Sequence, residues 1–188
     1  KLSSSYGDAE RMGLGKAMLA VGAAINEVSQ NSTASASYLV DFENRMAGVG
    51  KQADMSIPKI MGYASVLDQN AQQVEMSATA LQGIIMKMYQ DPGKLARIAG
   101  IDVKEFARLV REDANEALLQ LLDTLGKAGG MQALAPMFDE MKLDGSRAAS
   151  VLSVLAGNIE SVRREQKLAQ EAFDEGTSAI TEFNVQNN

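Results

Sequence analysis

Residues 115–126 read NEALLQLLDTLG, and this stretch carries the clearest structural signal in the chain. Its leucines recur at positions i, i+3, i+4 and i+7, as Leu118, Leu121, Leu122 and Leu125. This spacing lines them up along one face of an α-helix, so the stretch predicts a helix with a buried stripe. Asn115 precedes that helix. Gly126 stands where a residue in the left-handed conformation commonly follows a helix, so we expect the helix to end there.

The same period recurs on both sides of this stretch, interrupted by proline, glycine and capping residues. The expected helical segments are residues 8–25, 39–50, 57–68, 74–89, 92–99, 102–110, 118–125, 131–141, 146–155 and 158–173. Asp91-Pro92-Gly93 marks a firm break. Asp102 with Glu105 three residues later resembles a capping box at the start of the next helix. Gly176 is a candidate interruption of the last helix.

These segments predict an all-α fold, a compact bundle of roughly seven to nine mostly short helices with a longer C-terminal helix. We expect three regions. Residues 1–7 form a polar N-terminal extension that is frayed or belongs to a preceding helix. Residues 8–157 form a globular helical core, and residues 158–188 form a C-terminal helix that continues into the remainder of a longer protein. The chain starts at Lys1 and ends at Asn188, so we treat both ends as cuts, although processing or tag removal would also explain them.

The composition is typical of a core in which helix packs on helix, and it excludes several classes of catalytic and metal site. Hydrophobic residues make up 46% of the 188 residues, aromatic residues only 5%, and there are 11 Met and no Trp. Histidine and cysteine are absent. The chain therefore lacks the commonest general base and metal ligand, and it cannot supply a thiolate nucleophile, a disulfide or a cysteine-bound zinc. We expect no catalytic, cofactor-binding or metal-binding residue and no enzymatic activity.

Charge and hydropathy point away from nucleic acid and membrane. The net charge is −6, so the field of the whole chain repels phosphates, and we expect no direct nucleic-acid binding. No apolar run approaches the ~20 residues that span a bilayer. Membrane contact would have to come from regions outside this sequence.

A few motifs resemble functional sites, and each has a simpler structural interpretation. The carboxylate pairs Glu112-Asp113 and Asp139-Glu140 could act as acid and base, but neighbouring helical side chains point apart and usually face solvent. Asp144-Gly145-Ser146 carries one piece of a calcium loop, and we interpret it as a turn and cap. Gly13-Leu14-Gly15 resembles a phosphate loop but suits close helix packing better. The methionines fill a core or, less often, form an adaptable groove.

Several short motifs follow one another along the chain, namely AINE at 24–27, DF at 41–42 with Arg45, EMSATAL at 75–81, DP at 91–92, LARIAGI at 95–101, the leucine helix at 118–125 and LDGSRA at 143–148. Their order is similar to that in the core region of phage tail tape measure proteins. GNI at 157–159 and EGTS at 175–178 resemble prophage-type members from gut bacteria. The resemblance covers roughly residues 20–188.

This resemblance implies a structural part of a phage or prophage tail. Tape measure proteins set tail length and scaffold tail tube assembly, so the implied partners are tail tube subunits, tail assembly chaperones and other copies of the same protein. The implied location is the virion tail, and the bacterial host cytoplasm during assembly. A helix advances only ~1.5 Å per residue, so a compact bundle contributes little length, and the ruler must lie in other segments.

Two other functions are compatible with the same residues. One is a helical interaction or adaptor module of a larger bacterial protein. A long helical sequence beside this region would favour the tape measure over such a module. The other is a carboxylate enzyme, for example a muralytic one, which would need an acidic pocket.

Overall fold

The computed structural model describes residues 1–143 and 145–186, with the backbone alone for residues 146 and 177–186. The described part contains twelve helices and no strand, which confirms the all-α prediction. They are α1 Leu2–Ser5, α2 Asp8–Met12, α3 Leu14–Asn31, α4 Ala36–Gln52, α5 Ile57–Gln69, α6 Val74–Gln90, α7 Pro92–Ala99, α8 Val103–Glu112, α9 Ala114–Lys127, α10 Gly130–Glu140, α11 Ser146–Ala156 and α12 Ile159–Gln186. Twelve exceeds the expected seven to nine because short helices, α1 and α2 among them, are separate from their neighbours.

The core is organised around α5, which is buried on nearly every side. Its apolar side chains Ile57, Ile60, Met61, Tyr63 and Leu67 are fully enclosed. A helix that is apolar all round must lie inside the bundle, and α5 contacts α3, α4, α11 and α12. The predicted leucine stripe of α9 is also buried. One continuous core therefore runs through the bundle.

Aspartates begin three successive short helices. The side chains of Asp91, Asp102 and Asp113 each accept a hydrogen bond from the backbone N–H three residues later, at 2.9, 2.8 and 3.0 Å. The predicted cap at Asp102 is therefore confirmed, and Asp91 caps the helix that follows the predicted break. The start predicted at Asn115 is wrong, because Asp113 caps α9 and Asn115 lies inside the helix with its side chain buried.

Three glycines have roles other than those expected. Gly126 lies within α9, where a Cβ would meet the carbonyl oxygen of Ala156 at 2.3 Å, so it permits a close contact with α11. Gly13 adopts φ +87° and joins α2 to α3, and a Cβ at this position would have nothing within 4 Å, so close packing does not explain it. Gly176 does not interrupt α12.

The N-terminal residues are packed and not frayed. Leu2 and Ser3 are buried, and α1 contacts α3 and α4. The polar composition of the segment gives no sign of this packing, because Leu2 and Tyr6 are its main apolar side chains. None of the described helices is long and apolar enough to cross a membrane.

Candidate functional site: the seam that holds the C-terminal helix

The longest helix, α12, lies along α3 and α5 and also touches α9. We call this contact surface the α12 seam, formed on α12 by residues 162–176. Near one end Gly176 lies against Ala20 of α3, and near the other Ser65 links Glu165 to Ser32, just beyond the end of α3. Helices α3 and α12 therefore run antiparallel.

Two glycines bring α12 into very close contact with its neighbours. A Cβ at Gly62 of α5 would lie 2.2 Å from Cγ of Gln166 and 3.0 Å from the carbonyl oxygen of Val162. A Cβ at Gly176 would lie 2.9 Å from Cα of Ala20. Backbone atoms cannot move aside as a flexible side chain can, so only glycine fits at either position. Small residues at helix crossings permit this close axial approach.

A buried polar network crosses the seam beside Gly62. The Tyr63 hydroxyl donates to Oδ1 of Asn115 at 2.8 Å, and Nε2 of Gln166 donates to the same oxygen at 2.9 Å. Gln166 Nε2 also donates to the backbone carbonyl of Lys59 at 2.9 Å. Burial raises the pKa of Tyr63, so this phenol stays protonated as a donor. The network ties α5, α9 and α12 at one point.

A second buried contact holds α12 at Glu165, the residue directly before Gln166. Glu165 is only 3% exposed, and its Oε2 accepts a hydrogen bond from Ser65 Oγ at 3.1 Å. Ser65 Oγ accepts in turn from Gln69 Nε2 at 2.9 Å. Arg164 Nε lies 3.7 Å from the other oxygen of Glu165, so both carboxylate oxygens have a partner.

At the rim, Arg163 of α12 forms a two-pronged ion pair with Glu116 of α9. The two N–O distances are 3.0 and 2.9 Å. The hydrogen bonds to Glu116 raise the pKa of Arg163 and keep it charged. Both side chains remain partly exposed, at 40% and 33%, so the pair guides alignment more than it adds stability.

The acidic pairs singled out in the sequence do not form an acid–base site. Glu112 pairs with Arg108 on the exposed face of α8, while Asp113 caps α9. Asp139 and Glu140 are exposed at the end of α10. Asp144 lies outside the described residues. Among the residues that are described, no cluster of three or more acidic side chains could hold a metal ion.

The methionines mainly fill the core. Five are buried, namely Met46, Met55, Met61, Met88 and Met141. The exposed ones, Met18, Met86 and Met131, lie on three different helices and line no shared groove. A surface groove of about 470 Å³ between α6 and α11 has Met76 among its lining residues, together with Lys87 and Arg147.

The residues that form the seam carry little recognisable signal in the sequence. The helical pattern places Asn115 before its helix, and no local pattern singles out Gly62, Tyr63 or Gln166. The available signal was a glycine inside the uniformly apolar α5, since such a residue weakens a helix unless a close contact requires it. Compared with family models, curated proteins and solved structures, the chain shows no match.

Proposed function

We propose that this chain is a non-enzymatic structural part of a bacteriophage or prophage tail tape measure protein. In this role it is the compact body to which the measuring rod is attached, not the rod itself. Its partners are tail tube subunits, tail assembly chaperones and other copies of the protein. It belongs in the virion tail, and in the host cytoplasm while tails assemble.

The observation that carries this proposal is the order of short motifs along the chain, which resembles that of the tape measure core region. They run from residues 24–27 through 75–81 and 95–101 to 143–148 without a change of order. Each motif is short, so the order of the motifs supports the proposal more strongly than any single motif does.

The α12 seam gives the proposal a physical basis. A helix that transmits tension or alignment from a rod must be fixed to its body over a long contact, and α12 is held by two glycine crossings and two buried polar contacts. By comparison, the described part of the chain offers no acidic cluster suited to catalysis with a metal.

The test is made in the phage or prophage that encodes the full gene. Inserting helical residues into a rod segment outside this region should lengthen the tail by ~1.5 Å per residue. Deleting residues 8–157 in frame should instead abolish tail formation, as seen by electron microscopy of purified particles.

Three outcomes would contradict the proposal. A tail shortened only in proportion to the residues removed would mean that the body itself acts as the ruler. A normal tail after the deletion, together with a gene that lies apart from tube and chaperone genes, would indicate an adaptor module of another bacterial protein, and either of these two results alone would also contradict the proposal.

A further inference from the structure

Glu43, in the middle of α4, is a buried carboxyl without a partner. The residue is 0% exposed, and neither Oε1 nor Oε2 has a hydrogen-bond partner within the described structure. Buried carboxyls are normally paired or hydrogen-bonded, because an unpartnered one loses its hydration and gains nothing in return. Glu43 therefore calls for an explanation that the α12 seam does not provide.

The N-terminal residues 1–12 cover this carboxyl. Leu2 and Ser3 are buried, and α1 packs on both α3 and α4. The Tyr6 hydroxyl donates to the backbone carbonyl of Glu43 at 3.1 Å. The Tyr6 ring lies so close to Gly50 that a Cβ there would be 2.8 Å from Cε1. We call residues 1–12 the N-terminal latch.

Glycines join the latch to the rest of the bundle. Gly13 links it to α3 at φ +87° and ψ 147°, and Gly7 separates its two short helices at φ +83°. Apart from its chain neighbours, nothing lies within 4 Å of a Cβ placed at Gly13, so tight packing does not fix this position. Glycine adopts such backbone conformations without steric cost, so Gly13 is the point about which the latch would separate from its contacts with α3 and α4.

Burial favours the neutral form of Glu43, and the groups around the carboxyl act in both directions. Burial raises the pKa of Glu43 well above its ordinary value, the Tyr6 hydroxyl opposes this, and the charge of Asp8 on α2 adds to it. Burial likewise raises the pKa of Asp8, although Arg11 pairs with that carboxyl. The charged contacts that α5 and α6 make with α4 lie elsewhere, through Asp68 on Ser35 and Glu75 on Arg45.

We propose that residues 1–12 form a latch that opens about Gly13 when Glu43 loses its proton. In the closed state the carboxyl is enclosed and neutral, whereas in the open state water reaches it and the carboxylate is stable. Opening uncovers the α4 surface around Glu43 and Gly50 that α1 now covers. The rest of the bundle, including the α12 seam, keeps its structure.

The direction of the pH dependence follows from the two states. Because Glu43 binds its proton more tightly when closed, the closed state is fully favoured below the ordinary carboxyl pKa of about 4.3. As the pH rises from there toward the raised pKa of the closed state, closure should weaken about tenfold per pH unit. Above the raised pKa it weakens no further.

The chain contains no cysteine, so a single introduced thiol can report opening. Ser3→Cys places it on the buried face of the latch, and Ser77→Cys on the buried face of α6 serves as the reference. Labelling rates are measured between pH 4.5 and 8 and divided by the rate of the unfolded chain at each pH. We expect protection at position 3 to fall with rising pH, while protection at position 77 stays level.

Adding Glu43→Gln to Ser3→Cys should make the protection at position 3 independent of pH, apart from a small acid-range change from Asp8. Glu43→Met is a second neutral variant if the glutamine version folds poorly. The proposal is overturned if the neutral variants keep the slope. It is also overturned if positions 3 and 77 lose protection together, or if carboxyl NMR shows Glu43 ionised while the latch is closed.

Discussion

The α12 seam and the N-terminal latch each enclose a buried glutamate, but only the glutamate at the seam has a hydrogen-bond partner for its carboxylate. At the seam, Asn115 Oδ1 accepts two hydrogen bonds and Glu165 is held by Ser65. Under the latch, neither carboxyl oxygen of Glu43 has a hydrogen-bond partner. A satisfied polar network fixes one arrangement of helices, whereas an unsatisfied group weakens the contact that encloses it. Two regions of the same bundle thus differ in how well their buried polar groups are satisfied, and the proposed opening belongs to the less satisfied one.

The largest loss of stability is expected from a substitution that forces the seam apart at Gly62. Gly62→Val should lower the free energy of unfolding by about 3 kcal/mol or more, because the new side chain meets Gln166 and the backbone of Val162. Gly48→Ala is the matched control, since nothing lies within 4 Å of a Cβ there. It should raise stability by about 0.5–1 kcal/mol through helix propensity. Chemical denaturation measures both, and equal effects would refute the close contact.

Removing the centre of the seam network should have the next largest effect. Asn115→Ala leaves the Tyr63 hydroxyl and the Gln166 amide short of a partner, so we expect a loss of about 2 kcal/mol. Asn44→Ala is the control, because Asn44 is exposed and bonds only to its own helix. Denaturant midpoints should separate the two variants clearly. A seam network of no importance would leave Asn115→Ala as mild as the control.

The sequence predicted the helices well but not their contacts. Periodicity and capping aspartates located the helices because both are local signals. Gly62 was invisible as a crossing point because α5 is apolar all round, so its pattern does not say which face meets α12. Glu43 was readable in principle. It falls between Leu39, Met46 and Gly50 at spacings of four, three and four, in a stripe that is otherwise buried.

At the latch, the informative change replaces Glu43 with an apolar side chain. Glu43→Met should stabilise the whole chain at pH 8 by about 1 kcal/mol or more, because it removes a buried carboxyl that has no hydrogen-bond partner and whose pKa is raised by burial. The gain should shrink toward pH 4, because the wild-type carboxyl is then protonated in both states. Thermal and denaturant unfolding across this range provide the measurement. A gain that grows toward acid pH would have the wrong sign.

The smallest effect belongs to the rim of the seam. Arg163→Met should cost no more than about 1 kcal/mol, because the ion pair with Glu116 is partly solvated, and added salt should reduce the loss. Lys127→Met removes a more exposed pair with Asp123 on α9 and should change stability by about 0.3 kcal/mol or less. A double-mutant cycle with Glu116→Gln isolates the pair itself. A coupling energy as large as the loss in Asn115→Ala would mean that the rim, and not the buried network, holds α12 in place.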